Sequence, residues 1–126
     1  IDDRFFLVDL PGYGFARAPD AVREAWKRLV EDYLSDNDRL HGLVLLLDAR
    51  RGVQAADRTL LEYLGENGIP VLVVLTKIDK LKPNKRTARL RELGGSLPVQ
   101  ADWVIPTSAQ TGAGIEPLWR AIDTLL

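Results

Sequence analysis

A chain of 126 residues with 46% apolar content can bury one modest core and is too short for two domains. Its formal net charge of −1 provides no whole-molecule drive towards nucleic acid or a membrane, and the longest apolar runs, such as Leu43–Leu47, are far too short to span a bilayer. The lack of Cys excludes a disulfide framework or thiolate metal site and suits a cytoplasmic protein.

Strands and helices alternate along the chain, without internal repeats or low-complexity stretches. A short apolar strand is predicted from about Arg4 to Asp9, followed by a loop with glycines and prolines that reaches Pro19. A helix is expected from about Asp20 to Leu34, with Val22, Trp26, Leu29, Val30 and Tyr33 on one stripe. Leu43 to Asp48 reads as the second strand. The next helix, about Ala55 to Glu66, should bury Leu60, Leu61 and Leu64 and end at Gly68. A third strand is predicted from Val71 to Thr76, a helix from about Asn84 to Leu93, a fourth strand from Trp103 to Ile105, and a last helix from Ile115 to Leu126. The Val/Leu runs are nearly continuous and do not alternate with polar residues, so these strands are covered on both faces and form a parallel sheet. The fold class is α/β.

Thr76-Lys77-Ile78-Asp79, directly after the apolar run Val71–Leu75, is the most informative segment. It delivers a carboxylate and a long-stemmed cation to the carboxyl edge of a sheet, where open α/β folds bind nucleotides. Guanine presents its ring N–H and exocyclic amine side by side, and one ionised Asp accepts both. Adenine has no such pair and would leave the carboxylate unpaired, at a cost of roughly 1–3 kcal/mol or more. The Lys77 stem can lie over the base while its ammonium stays in water. By composition the tetrapeptide turns up by chance in roughly 2% of chains this long, so its context has to carry the rest. Two other apolar runs end in suitable residues: Asp9-Leu10-Pro11-Gly12 after the first strand, and Thr107-Ser108-Ala109 after the fourth. Gly12 lacks a Cβ and lets its N–H approach a terminal phosphate, and Asp9 can hold a magnesium ion through water. Ser108 and Ala109 can offer backbone N–H groups to the guanine carbonyl oxygen. Candidate nucleotide contacts are therefore Asp9, Leu10, Pro11, Gly12, Thr76, Lys77, Ile78, Asp79, Thr107, Ser108 and Ala109, with GTP or GDP and Mg2+ as ligands. No residue is assigned a catalytic role.

Asp9-Leu10-Pro11-Gly12-Tyr13-Gly14-Phe15-Ala16, Asp48-Ala49-Arg50-Arg51-Gly52 and Thr76-Lys77-Ile78-Asp79-Lys80-Leu81 together resemble the EngB-type (YihA/YsxC) bacterial GTPases of the TrmE-Era-EngA-EngB-Septin-like superfamily. The similarity extends to Gly114-Ile115-Glu116-Pro117-Leu118-Trp119. It implies a three-layer P-loop G-domain, a GTPase switch with slow hydrolysis, a role in assembly of the large ribosomal subunit with contacts to rRNA, and a link to normal cell division and septation. The position that holds a catalytic Gln in many small GTPases is Tyr13 here, so Tyr13 is not given the water-positioning role.

Phosphate cradling needs Gly-x-x-x-x-Gly-Lys-Ser/Thr, and the chain has no Gly-Lys dipeptide. Residues 1–126 are therefore expected to be the carboxyl-terminal two-thirds of a single G domain, inactive alone, with the phosphate loop and the magnesium-binding switch Thr upstream. In the resembled fold, the phosphate-loop strand lies between the strands corresponding to Arg4–Asp9 and Leu43–Asp48. Without it, the strands close up, or the chain borrows a strand in an exchanged dimer, or it is unstable, and marginal stability is expected. The parent protein is expected to be a monomer.

Lys77, Lys80, Lys82, Lys85, Arg86, Arg89 and Arg91 form a basic stretch with two readings: contact with RNA phosphates, or a solvated helix face over Leu90, Leu93 and Leu97. Trp26, Trp103 and Trp119 fall at core spacings, His41 has no metal-ligand companion, and Asp48 is read as a turn residue. The loop Leu10–Pro19 is a candidate for ordering by the terminal phosphate. A non-hydrolysing module that binds RNA or protein is the alternative to the GTPase.

Overall fold

Parallel strands need crossover helices, and the helical periodicities between the Val/Leu runs supply them. The computed structural model describes residues 1–10, 12 and 20–126, and within the first helix it leaves out the side chains of Ala21, Val22, Arg23 and Trp26. The chain forms two compact units, residues 1–40 and 41–126.

The first unit contains α1, Asp20–Ser35, with Asp20 in its first turn where the helix dipole favours an anion. Val30 and Leu34 are buried and Tyr33 is half-buried, whereas Leu29, expected on the same stripe, is exposed. The strand predicted from Arg4 to Asp9 does not form. The Arg4 N–H instead donates to the Ile1 carbonyl at 2.9 Å in a turn, and Phe6, Leu7 and Val8 are 94%, 63% and 52% exposed. An apolar run becomes a strand only when a neighbour accepts its backbone hydrogen bonds, and among the described residues none pairs with this one. Among the described residues the sheet accordingly has three strands and not the expected four.

The second unit is the α/β body. β1 (Leu43–Asp48), β2 (Val71–Thr76) and β3 (Val104–Pro106) form a parallel sheet in that order. Leu43 pairs with Val71 and Asp48 with Thr76, while Val73 pairs with Val104. Leu72, Val73, Val74 and Leu75 are each 1% exposed or less. Successive side chains of a strand point to opposite faces, so both faces of β2 are covered. β1 is an edge, and its Leu46 is 64% exposed.

α2 (Ala55–Glu66) starts with a capping box in which the Gln54 N–H donates to buried Asp57 at 2.6 Å. It buries Leu61 and Leu64, with Leu60 half-buried, and ends where Gly68 takes φ +64° and the Ile69 N–H returns to the Leu64 carbonyl. α3 (Pro83–Ser96) carries Pro at its first position and buries Leu93. The Arg89 side chain fastens α3 to the segment after β1 through the carbonyls of Ala49 (3.2 Å) and Arg50 (3.3 Å). α4 (Ile115–Leu125) presents a half-buried stripe of Ile115, Leu118, Ala121, Ile122 and Leu125. Trp119 falls off that stripe and is 43% exposed, and Trp103 lies half-buried in a 3₁₀ turn before β3, so neither is the core residue its spacing suggested.

Candidate functional site

The carboxyl ends of the three strands are tied together by short hydrogen bonds. From β1 to β2, the Ala49 N–H donates to the Thr76 carbonyl at 3.0 Å and the Thr76 hydroxyl to the Leu47 carbonyl at 3.3 Å. From β3 to β2, the Thr107 N–H donates to the Leu75 carbonyl at 2.8 Å, and the Ile78 N–H returns to the Thr107 carbonyl at 3.2 Å. Thr76, Ile78 and Thr107 thus act as framework: Ile78 and Thr107 are buried, and Thr76 is half-buried.

On that frame the chain turns sharply. Lys77 takes a left-handed backbone (φ 60°, ψ 34°), unusual for a residue with a side chain, and a 3₁₀ turn, Ile78–Lys80, follows. The turn brings Asp79 to the rim, where its Oδ1 accepts a 2.7 Å hydrogen bond from the hydroxyl of fully buried Ser108. That bond holds the Asp79 carboxyl below its ordinary pKa. Burial works against it, while the Asp79 backbone N–H and the charges of Lys80 and Arg86 assist. The carboxylate therefore stays ionised at neutral pH, and each of its oxygens has lone pairs to spare.

The Ser108 loop is itself rigidly held. The Ser108 hydroxyl accepts from the Thr111 N–H at 3.1 Å, and the Gly112 N–H donates to the Ser108 carbonyl at 2.8 Å. Gly114 caps α4 with φ +75°, and a Cβ there would overlap the Pro106 carbonyl oxygen, so only glycine fits. One detail departs from the sequence reading. The Ser108 N–H is engaged by the Ala113 carbonyl at 2.9 Å, and Ala109 is exposed.

Asp48 closes the segment after β1. Its Oδ1 accepts from the Arg50 N–H (2.9 Å) and Nε (3.0 Å), its Oδ2 from Arg50 Nη2 (2.7 Å), and Lys77 Nζ lies 3.4 Å from the same Oδ2. The Arg50 guanidinium holds the Asp48 carboxyl far below the usual carboxylate range. Burial opposes this, and the Arg50 N–H and Lys77 add to it. Sequence reasoning saw the turn here and missed the tie to Lys77, which depends on the register of Asp48 with Thr76.

Beside this rim runs a groove of about 520 Å³ lined by Arg50, Lys80, Lys82, Lys85, Arg89 and Glu92, among others. The basic stretch of the sequence therefore divides. Lys80, Lys82 and Lys85 are exposed along the groove, and Arg89 is half-buried and committed to carbonyls and to Glu92. Below them Leu93 and Leu97 are buried and Leu90 is half-buried, as the helix-face reading expects.

In the first unit Asp9 is exposed, Leu10 is half-buried, and Gly12 is exposed with open space where a Cβ would stand. Pro11 and residues 13–19, including Tyr13 and most of the candidate switch loop, lie outside the described residues.

The family model of the elongation factor Tu GTP-binding domain matches residues 30–126. The probable GTP-binding protein EngB of Gemmatimonas aurantiaca is 44% identical over all of this chain and 62% of its own length. The chain thus spans under two-thirds of that relative. Among solved structures, a probable GTP-binding protein EngB superposes with a TM-score of 0.72 at 28% identity, covering 93% of this chain and 74% of that one. Era, solved with MgGDPNP and a segment of 16S ribosomal RNA, gives 0.66 at 25% identity, covering 90% of this chain and 37% of Era. The three-stranded parallel sheet with its strand-end loops is that of a G domain, and this chain belongs to the GTP-binding domain family of elongation factor Tu, with its similarity there to the EngB-type proteins.

Proposed function

We propose that the protein of which this chain is part is a GTP-binding switch that hydrolyses GTP slowly. The observation carrying this reading is the ionised Asp79 carboxylate, braced by Ser108 at the carboxyl edge of a parallel sheet. A guanine base docks there by donating its ring N–H and exocyclic amine to Asp79. The Lys77 stem covers the ring, Ala109 meets the carbonyl oxygen, and Thr76, Ile78, Thr107 and Ser108 hold these groups in place. Asp9, Leu10, Pro11 and Gly12 serve the phosphate end. Among the described residues no three His, Asp or Glu side chains stand together as a metal cage. Magnesium would be held mostly by water and phosphate oxygens, with Asp9, exposed in this structure, reaching it through water. When bound, the ion neutralises phosphate charge. The reaction is an in-line attack of water on the terminal phosphate, favoured by positioning and electrostatics, with no catalytic residue assigned in this chain.

We infer further, from the resemblance of the sequence motifs to the EngB-type GTPases, a cytoplasmic, monomeric parent that acts on the large ribosomal subunit and is needed for normal cell division and septation. The groove of exposed lysines beside the site supports contact with rRNA phosphates. That groove also favours the second reading, a non-hydrolysing RNA- or protein-binding module, and turnover of GTP by the full-length protein discriminates the two.

The test is Asp79→Asn in the full-length protein. An amide donates where xanthine has a carbonyl oxygen and guanine an amine. Guanine nucleotide affinity should fall about 10- to 100-fold, with preference passing to xanthine nucleotides. An unchanged preference would remove Asp79 from the base site.

A further inference from the structure

Lys77 and Asp79 leave the end of β2 in opposite directions, each towards the neighbouring strand. Asp79 is drawn towards Ser108 after β3, and Lys77 towards Asp48 at the end of β1. A base site needs this splay, because one side chain must grip the edge of a ring while the other covers its face. Asp79 has its brace in Ser108. The counterpart for Lys77 is unassigned, and its side chain is 57% exposed on a left-handed backbone residue. A solvated lysine sweeps many rotamers unless something fixes its tip.

We propose that Asp48, itself clamped by Arg50, anchors the Lys77 ammonium and thereby sets the pose of the lysine stem, making Asp48 a positioning residue of the guanine site. This rests on the reading of Thr76–Asp79 as a guanine site. One oxygen does the work: Asp48 Oδ2 takes Arg50 Nη2 at 2.7 Å and faces Lys77 Nζ at 3.4 Å. Arg50 occupies both carboxylate oxygens and also donates its own N–H, so the carboxylate cannot swing away from the lysine. The register places Asp48 opposite Thr76, one residue short of Lys77, and the Ala49-to-Thr76 hydrogen bond locks that register. Asp48 is the charge that lets Arg50 and Lys77 approach each other. Without it two cations share one corner, and the lysine is repelled from the rim.

A turn-only role is separable from this one. Closing the turn requires an oxygen to accept the Arg50 N–H, and the Arg51 and Gly52 N–H groups bond to the Asp48 backbone carbonyl. Asparagine keeps all of that and drops the charge. In the full-length protein, binding and release of fluorescent GDP is measured for Asp48→Asn, Lys77→Ala and the double variant. Asp48→Asn should weaken GDP about fivefold, as for a partly exposed ion pair, mainly through faster release and without a shift towards xanthine nucleotide. In the Lys77→Ala background Asp48→Asn should add nothing. Equal losses in both backgrounds, or no loss at all, overturn the proposal. Should Asp48→Asn fail to fold, Lys77→Met keeps the stem and drops the charge at an exposed position, and GDP binding as tight as the parent's would overturn it. Failure of the guanine reading registers separately. It appears as an Asp79→Asn protein with no new taste for xanthine, whereas additivity at Asp48 and Lys77 with that switch intact removes only the anchor.

Discussion

Phe5-Phe6-Leu7-Val8 and Leu72-Val73-Val74-Leu75 are equally apolar, and each runs into a residue assigned to the nucleotide, yet they meet opposite fates. The second is the most buried segment among the described residues, at 1% exposure or less throughout, while the first leaves Phe6, Leu7 and Val8 more than half exposed and makes no strand. β1 is an intermediate case: among the described residues it pairs with β2 alone, and Leu46 near its centre is 64% exposed. With two neighbours a run is buried, with one it is half-covered, and with none it does not become a strand. Hydrophobicity supplies the tendency, and the ladder partner decides the outcome.

The sharpest way to break that comparison is to charge both runs in the 126-residue polypeptide. Val73→Asp buries a carboxylate among Val and Leu side chains and should cost more than about 4 kcal/mol, enough to abolish a cooperative transition. Leu7→Asp sits in water already and should shift the melting midpoint by less than about 2 °C. Circular dichroism melts of the two variants check both. Equal damage would mean that Leu7 packs as a strand residue does. Supplying a phosphate-loop strand upstream should make Leu7→Asp costly too, since the run would then have its neighbour.

A smaller effect separates two glycines of the Ser108 loop. Gly112 and Gly114 both have positive φ, +80° and +75°, but a Cβ at Gly112 meets nothing within 4 Å, whereas at Gly114 it overlaps the Pro106 carbonyl. Gly112→Ala should therefore cost about 1 kcal/mol, from backbone strain alone. Gly114→Ala should cost about 2–4 kcal/mol, because α4 must move away from β3. Urea titrations would show it as a drop in midpoint at unchanged slope. Similar losses at both would mean the loop yields easily and does not brace Asp79.

The same contrast explains what could be read from the residues alone. β1, α2 and β2 begin and end where the apolar runs and their Gly and Pro punctuation place them, because burial on both faces and helical period are local signals. The run Arg4–Asp9 has the residues of a strand, yet pairing belongs to two segments: the sequence shows that its phosphate-loop neighbour is not at hand, and the residues alone do not say which of the possible outcomes follows. Asp79 and Ser108 were legible as base-site candidates from the strand-end motifs, yet the hydrogen bond joining them spans 29 positions of sequence. Asp48 looked like a turn residue and is one. Its reach to Lys77 follows from the strand register, which no spacing between the two displays. The occupied Ser108 N–H was hidden likewise, since it depends on how the chain returns at Ala113.

The smallest effect concerns acid, and it follows from the tied strand ends. Asp48 has a folded-state pKa pulled down, first by the Arg50 guanidinium, from an unfolded value near 4. A depressed carboxylate stabilises the fold at pH values above its unfolded pKa, and that contribution fades as pH drops below about 4 towards the folded value. Replacing Asp48 with Asn removes the charge at every pH. The variant should melt lower than the parent at pH 7, and the gap should narrow steadily below about pH 4, where Asp48 of the parent takes up a proton in the unfolded chain while the fold still holds it ionised. Melts at intervals from pH 7 to pH 2.5 measure it. A gap as wide at pH 2.5 as at pH 7 would mean that Asp48 contributes through its shape and its turn, with the charge that joins β1 to Lys77 contributing nothing to stability.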